Sequence, residues 1–122
     1  MSKHPVVHIE ISANNLVEAG QFYSKLFGWK TEQIPAMNYA TFAAEGGPGG
    51  GFNPVSADAP AGTVLVYINS DDIEADLAKV AQLGGTVLVH KTEIPGEGWF
   101  GIFADPTGNR LALYTTSHTQ PM

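Results

Sequence analysis

The sequence predicts an α+β fold: two βαβββ modules forming a cupped mixed sheet, with the helices on its outer face. Three observations carry this. An alternating strand run followed by a helical stripe occurs twice. Each helix pattern stops at glycine, and each is followed by three short strand-like runs.

The first strand is VVHIEIS at residues 6–12, with Val7, Ile9 and Ile11 on one face and His8, Glu10 and Ser12 on the other. Asn14 and Asn15 offer helix N-caps, and Glu18 stands three residues after Asn15, as in a capping box. Leu16, Ala19, Phe22, Tyr23, Leu26 and Phe27 then form an apolar helical stripe, and Gly28 ends it. Strands are expected at Lys30–Ile34, 39–44 and 51–54.

An offset of 57 positions carries Val7 onto Val64, Ile11 onto Ile68, Leu26 onto Leu83 and Gly28 onto Gly85. In the second strand, residues 63–69, Val64, Val66 and Ile68 share the apolar face, while Leu65, Tyr67 and Asn69 take the other. Asp71 and Asp72 are candidate caps; Ile73, Leu77, Val80 and Ala81 follow at helical spacing, and Gly84-Gly85 stops the helix. Strands are expected at 86–90, 99–104 and 110–115. The first module covers about residues 5–55 and the second about 62–116, within one domain of 122 residues. One helix covers one face of a sheet, so the opposite faces of the paired modules should line a cup.

At 43% hydrophobic and 10% aromatic, the chain has the material of a packed core. A net charge of −6 with only six scattered Lys and Arg argues against nucleic acid. The absence of cysteine excludes disulfides, thiolate metal sites and a cysteine nucleophile. No apolar run reaches the roughly 18 residues of a membrane helix, and MSKHPVV lacks a signal-peptide core. No membrane association and a cytoplasmic location are therefore expected. The glycine run at 46–51 lacks the GK[ST] ending of a phosphate loop. Asp105-Pro106-Thr107-Gly108 reads as a type I turn, with Pro second and Gly fourth. The polar tail at 117–122 is expected to fray.

His8 opening a strand, the helix end FYSKLFGW (22–29) and the segment FADPTGNRLALY (103–114) resemble the vicinal oxygen chelate superfamily. That superfamily includes glyoxalase I, extradiol dioxygenases and bleomycin-resistance proteins, and the resemblance spans about residues 6–116. It implies two ligand positions per module in glyoxalase I-like members. Here His8 takes the first, Leu65 its equivalent in the second module, and the carboxylate positions fall on or near Gly51 and on Ala112. Three of these four have no side-chain donor, whereas a tightly held zinc, nickel or iron needs about three. No metal site and no cofactor are therefore expected. Glu10 lies about 6–7 Å along the strand face from His8. The two residues with Glu93 or a second chain remain an alternative donor set.

Alternation places His8, Glu10, Leu65, Tyr67, Arg110 and Tyr114 on the concave face as ligand-binding candidates. Leu111 and Leu113 are expected under the helix layer, which turns Arg110, Ala112 and Tyr114 inward. Arg110 admits three readings: a partner for Glu10, an anchor for an acidic ligand group, or a solvated charge. Trp99 is a further lining candidate, with Phe100, Phe103, Tyr39 and Phe42 as other aromatics. The segment EIPGEG at 93–98 reads as a lid or as an ordinary turn.

Two functions fit. The first is a glyoxalase/bleomycin-resistance/dioxygenase-type protein that binds a small organic molecule without a catalytic metal. The second is a glyoxalase-like lyase or isomerase using His8 and Glu10 as catalytic residues, with or without a divalent metal. Open strand edges and the family's habit of dimerising imply a homodimer.

Overall fold

The structure, a computed structural model, describes residues 3–116. The elements run β1 (Val6–Ala13), α1 (Leu16–Phe27), β2 (Lys30–Ile34), a 3-10 turn (Pro35–Met37), β3 (Tyr39–Ala43) and β4 (Gly50–Pro54). They continue with β5 (Val64–Asn69), α2 (Ile73–Gln82), β6 (Thr86–Ile94), β7 (Gly98–Ala104) and β8 (Arg110–Thr116). The βαβββ order occurs twice, as the internal repeat requires. The chain forms two compact units, one of Val7–Leu65 and the other of the residues on either side of it. The tail at 117–122 lies outside the described residues, and His118 with it.

In the first unit the strand order is β2-β3-β4-β1. β1 pairs parallel with β4, and β2–β3 and β3–β4 are antiparallel. The second unit repeats this as β5-β8-β7-β6, with β5 parallel to β8 and β6–β7 and β7–β8 antiparallel. The long edge strand β6 breaks register twice, between Val87 and Val89 and between Val89 and Thr92. Such irregularities discourage pairing along an open edge.

Capping follows the sequence. Asn15 Oδ1 accepts the Glu18 backbone N–H at 2.9 Å, and Gly28 closes α1 in the left-handed conformation at φ 77°. In α2 the cap is Asp72, whose Oδ1 accepts the Ala75 N–H at 3.0 Å, and Gly84 at φ 96° follows the helix. The first core gathers Ala40, Phe42 and Phe52, with Ile9, Ile11, Ala13, Leu16, Ala19, Tyr23 and Trp29 packed on it. Trp29 stacks on Phe42 at 4.4 Å and Tyr23 on Phe52 at 5.5 Å. Ile73, Leu77 and Leu113 form the second core, joined by Ile68, Val87, Trp99 and Phe103.

The apolar stripe of α1 is narrower than its sequence predicts. Phe22, Leu26 and Phe27 are 59%, 56% and 58% exposed. The helix rests instead on Leu16, Ala19, Gly20 and Tyr23. Gly20 explains the shift: a β-carbon there would lie 3.3 Å from Thr31 Oγ1 and from Gln33 Nε2. The helix approaches β2 through its smallest residue, and the large side chains move to its flanks. Val64, on the apolar face of its strand by alternation, is 54% exposed. The α2 core gathers at Ile68, toward the other end of β5.

Candidate functional site

The site is built from the side of the first sheet that α1 leaves uncovered. Ile9 and Ile11 pack into the α1 core, so alternation turns His8 and Glu10 to the opposite face. Ala40 and Phe42 on β3 are core residues, which turns Tyr39 to that same opposite face. Phe52 on β4 is fully buried under the helix, and its neighbour Gly51 therefore faces the site. Strand register sets the spacing: Glu10 pairs with Gly51, and Gly51 pairs with Thr41.

Across this face run two short hydrogen bonds. The Tyr39 hydroxyl donates to Glu10 Oε2 at 2.8 Å, and His8 Nε2 lies 2.8 Å from the same hydroxyl oxygen. A phenol has one proton to give. With that proton directed at Glu10, the oxygen accepts from His8, so the imidazole carries its hydrogen on Nε2. Burial holds the His8 pKa below its ordinary 6.5, opposed by the nearby Glu10 charge, and the ring is neutral at pH 7.

Tyr39 was expected only as one aromatic among several; the structure makes it the link between the two residues singled out on β1. Gly51 makes this possible. A β-carbon at position 51 would overlap the Tyr39 hydroxyl and ring. Glycine inside a strand often marks such a close approach.

In the second unit, Tyr67 pairs with Ala112, Ile102 with Ala112, and Phe100 with Tyr114. Leu113 is buried against α2, so Ala112 and Tyr114 take the uncovered face with Tyr67. Arg110 opens β8 opposite Ala104 and is exposed. Leu65 belongs to the first unit and is half-buried. Tyr114 donates its hydroxyl to the Glu97 carbonyl at 3.3 Å.

Trp99 packs with Phe103 on the core beneath α2, on the side of β7 shared with Gly101, and Lys91 Nζ sits 5.0 Å from its ring centroid. It is half-buried against that core, with a cation over its ring. Phe42 is a buried core residue of the first unit, and Phe103 packs half-buried against the core of the second. The segment at 93–98 is an ordinary hairpin turn: β6 runs to Ile94, β7 starts at Gly98, and Glu97 N–H donates to Ile94 O at 2.8 Å. Asp105 organises the other turn. Its Oδ1 accepts from the backbone N–H groups of Thr107, Gly108 and Asn109 at 2.9–3.0 Å, which gives it a structural task.

Among the described residues, no three His, Asp or Glu side chains come close enough to hold an ion, so Glu93 does not complete a set with His8 and Glu10. Nor is any described helix long and apolar enough to cross a membrane.

Two βαβββ units, each with one helix on a mixed four-stranded sheet, define a protein of the vicinal oxygen chelate class. The model of the glyoxalase-like domain matches residues 8–114, and the chain belongs to that family. It is 35% identical over 115 residues to a glyoxylase-like domain-containing protein of Didymella fabae, covering 88% of this chain and 90% of that one. It is 25% identical over 127 residues to the anthracycline biosynthesis protein DnrV of Streptomyces peucetius, covering 86% of this chain and 44% of that protein. The chain thus spans under half the length of this second relative. A glyoxalase/bleomycin resistance protein/dioxygenase superfamily member from Vibrio splendidus superimposes with a TM-score of 0.66 at 13% identity, over 92% of this chain and 98% of that one.

Proposed function

We propose that this glyoxalase-like protein binds a small, polar, aromatic organic molecule on the uncovered face of its first unit, without a resident catalytic metal. The observation that carries the reading is the hydrogen-bonded array His8–Tyr39–Glu10. Fixed donors and acceptors beside apolar surface are what orients a small ligand. The lack of side-chain donors at Leu65, Gly51 and Ala112 supports the metal-free part.

The same array favours a second reading, a lyase or isomerase that needs a proton moved. A neutral imidazole can take a proton at Nδ1, release the Nε2 proton to the Tyr39 oxygen, and pass the phenol proton to Glu10. The net change is one proton gained by Glu10 and a switch of the His8 tautomer. Proton transfer of this kind contributes about a hundredfold or more to a rate.

Ligand-observed NMR against a panel of small polar aromatic compounds, with His8→Ala as control, tests both readings. Binding weakened by about 1 kcal/mol in His8→Ala fits a lost hydrogen bond and a binding protein. Turnover of a bound compound that falls about a hundredfold in the variant supports the catalytic reading. Binding indifferent to His8→Ala removes the site from both.

A further inference from the structure

We infer that Tyr39 is the specificity-determining residue of the first unit: seated on Gly51, it commits His8 and Glu10 to hydrogen bonding with organic groups and keeps a divalent cation out. The ligand class rests on the reading above; the exclusion of the cation stands on geometry alone.

Three adjacent strands set the argument. Glu10 on β1, Gly51 on β4 and Thr41 on β3 lie in one row, and Tyr39 is two residues from Thr41 along β3. Neighbouring strands are about 4.8 Å apart, so β1 and β3 are separated by about 10 Å across β4. A tyrosine hydroxyl spans that gap only if its ring lies across the middle strand. The ring does so, because position 51 has no side chain. Its hydroxyl then meets both His8 Nε2 and Glu10 Oε2.

The repeat supplies an internal control. Thr41 pairs with Gly51 in the first unit as Ile102 pairs with Ala112 in the second, which puts Phe100 in the place of Tyr39. There the ring has no hydroxyl, and the central strand carries a β-carbon. The residue opposite on the parallel strand is Tyr67 rather than a carboxylate. The hydroxyl, the glycine and the carboxylate are present together in the first unit and absent together from the second.

For cation binding the consequence is direct. A tetrahedral site needs about three protein donors. Glu10 and His8 supply two, the Tyr39 hydroxyl engages both, and the place for a third donor on the same row is covered by the tyrosine ring. Remove the ring and add a carboxylate at 51, and one imidazole and two carboxylates share one sheet face within a single unit.

The test is calorimetric titration of the full chain with zinc chloride and with nickel chloride. Wild type and Gly51→Glu should each bind well under one equivalent, the second with a lowered melting temperature because its new side chain meets the ring. The double variant Tyr39→Ala/Gly51→Glu, folded by circular dichroism, should take up about one equivalent and lose it on adding His8→Ala. Stoichiometric, His8-dependent binding by wild type overturns the inference. So does Gly51→Glu binding as tightly as the double variant, or a folded double variant that binds nothing. Should the double variant not fold, Tyr39→Ala/Gly51→Asp, with a shorter carboxylate in the same row, takes its place in the same titration: about one equivalent bound is expected, and folded protein that binds nothing refutes the inference. No organic ligand enters these measurements, so failure to find one leaves the inference standing, and metal uptake by wild type sinks it whichever ligand binds.

Discussion

Tyr39→Phe isolates the central contact, because it deletes one oxygen and leaves the ring on Gly51. Two bonds of 2.8 Å are lost, one to a carboxylate and one to a neutral imidazole. A bond to a charged group contributes about 1.5–3 kcal/mol and a neutral one about 0.5–1.5 kcal/mol. His8, Glu10 and Tyr39 are only half-buried, so water replaces part of what the hydroxyl supplied. A net loss of about 1–2.5 kcal/mol remains. With a urea slope of about 1–3 kcal/mol per molar, the unfolding midpoint should fall by about 1 M, and the slope itself should stay constant. Repeating the change in a Glu10→Gln background should recover a coupling of at least about 0.5 kcal/mol, since the two groups share a bond. A midpoint that does not move, or a coupling of zero, would show that water holds this face as well as Tyr39 does.

Three further outcomes follow from the same structure. The folded His8 pKa lies below its unfolded value of 6.5, so the unfolded chain takes up the proton first, and stability should fall as pH drops through 6.5 toward the folded value. His8→Gln should flatten the melting temperature between pH 7.5 and 5.5; an equally steep fall in that variant would assign the effect elsewhere. Asp105 is held below its ordinary 3.8, first by the Asn109 side chain and then by backbone N–H groups, so its contribution is lost only as pH falls through that lowered value. Asp105→Ala should lower the melting temperature at pH 7 and shrink the loss seen below pH 4 in wild type. The third outcome is a homodimer: β2 and β6 end their strand orders, and α1 exposes Val17, Phe22, Leu26 and Phe27. Sedimentation at tens of micromolar should return twice the chain mass, and a monomer there counts against it.

Much of the fold was legible because period and punctuation agree. The run VVHIEIS alternates cleanly, Asn15 and Asp72 cap where a cap is needed, and Gly28 takes the left-handed turn its position calls for. Face assignment is ambiguous where both faces are apolar. β7 reads GWFGIFA, so alternation alone cannot say whether Trp99 or Phe100 meets the helix. Packing decides, through Gly101: a β-carbon there would lie 3.1 Å from both Ile73 and Leu77, which puts the odd-numbered residues of β7 under α2. The α1 stripe failed for a related reason. Six apolar residues fit a helical face, but Gly20, absent from that count, sets which side approaches the sheet.

The link through Tyr39 was hidden for a topological reason. Tyr39 lies 29 residues from Glu10 and 31 from His8, and no spacing rule joins them. They meet because β1 pairs with β4 rather than with β2, which places one strand between β1 and β3. One signal was present in the sequence nonetheless. Gly51 was read as a missing ligand, a position with nothing to offer. Within a strand flanked by Phe52, a glycine also says that something large passes over it. The parallel β1–β4 pairing identifies that passage as a crossing from β3 toward Glu10. The only β3 aromatic turned away from the α1 core is Tyr39. Once topology is known, the glycine that removes a donor from the sheet is the residue that admits the tyrosine in its place.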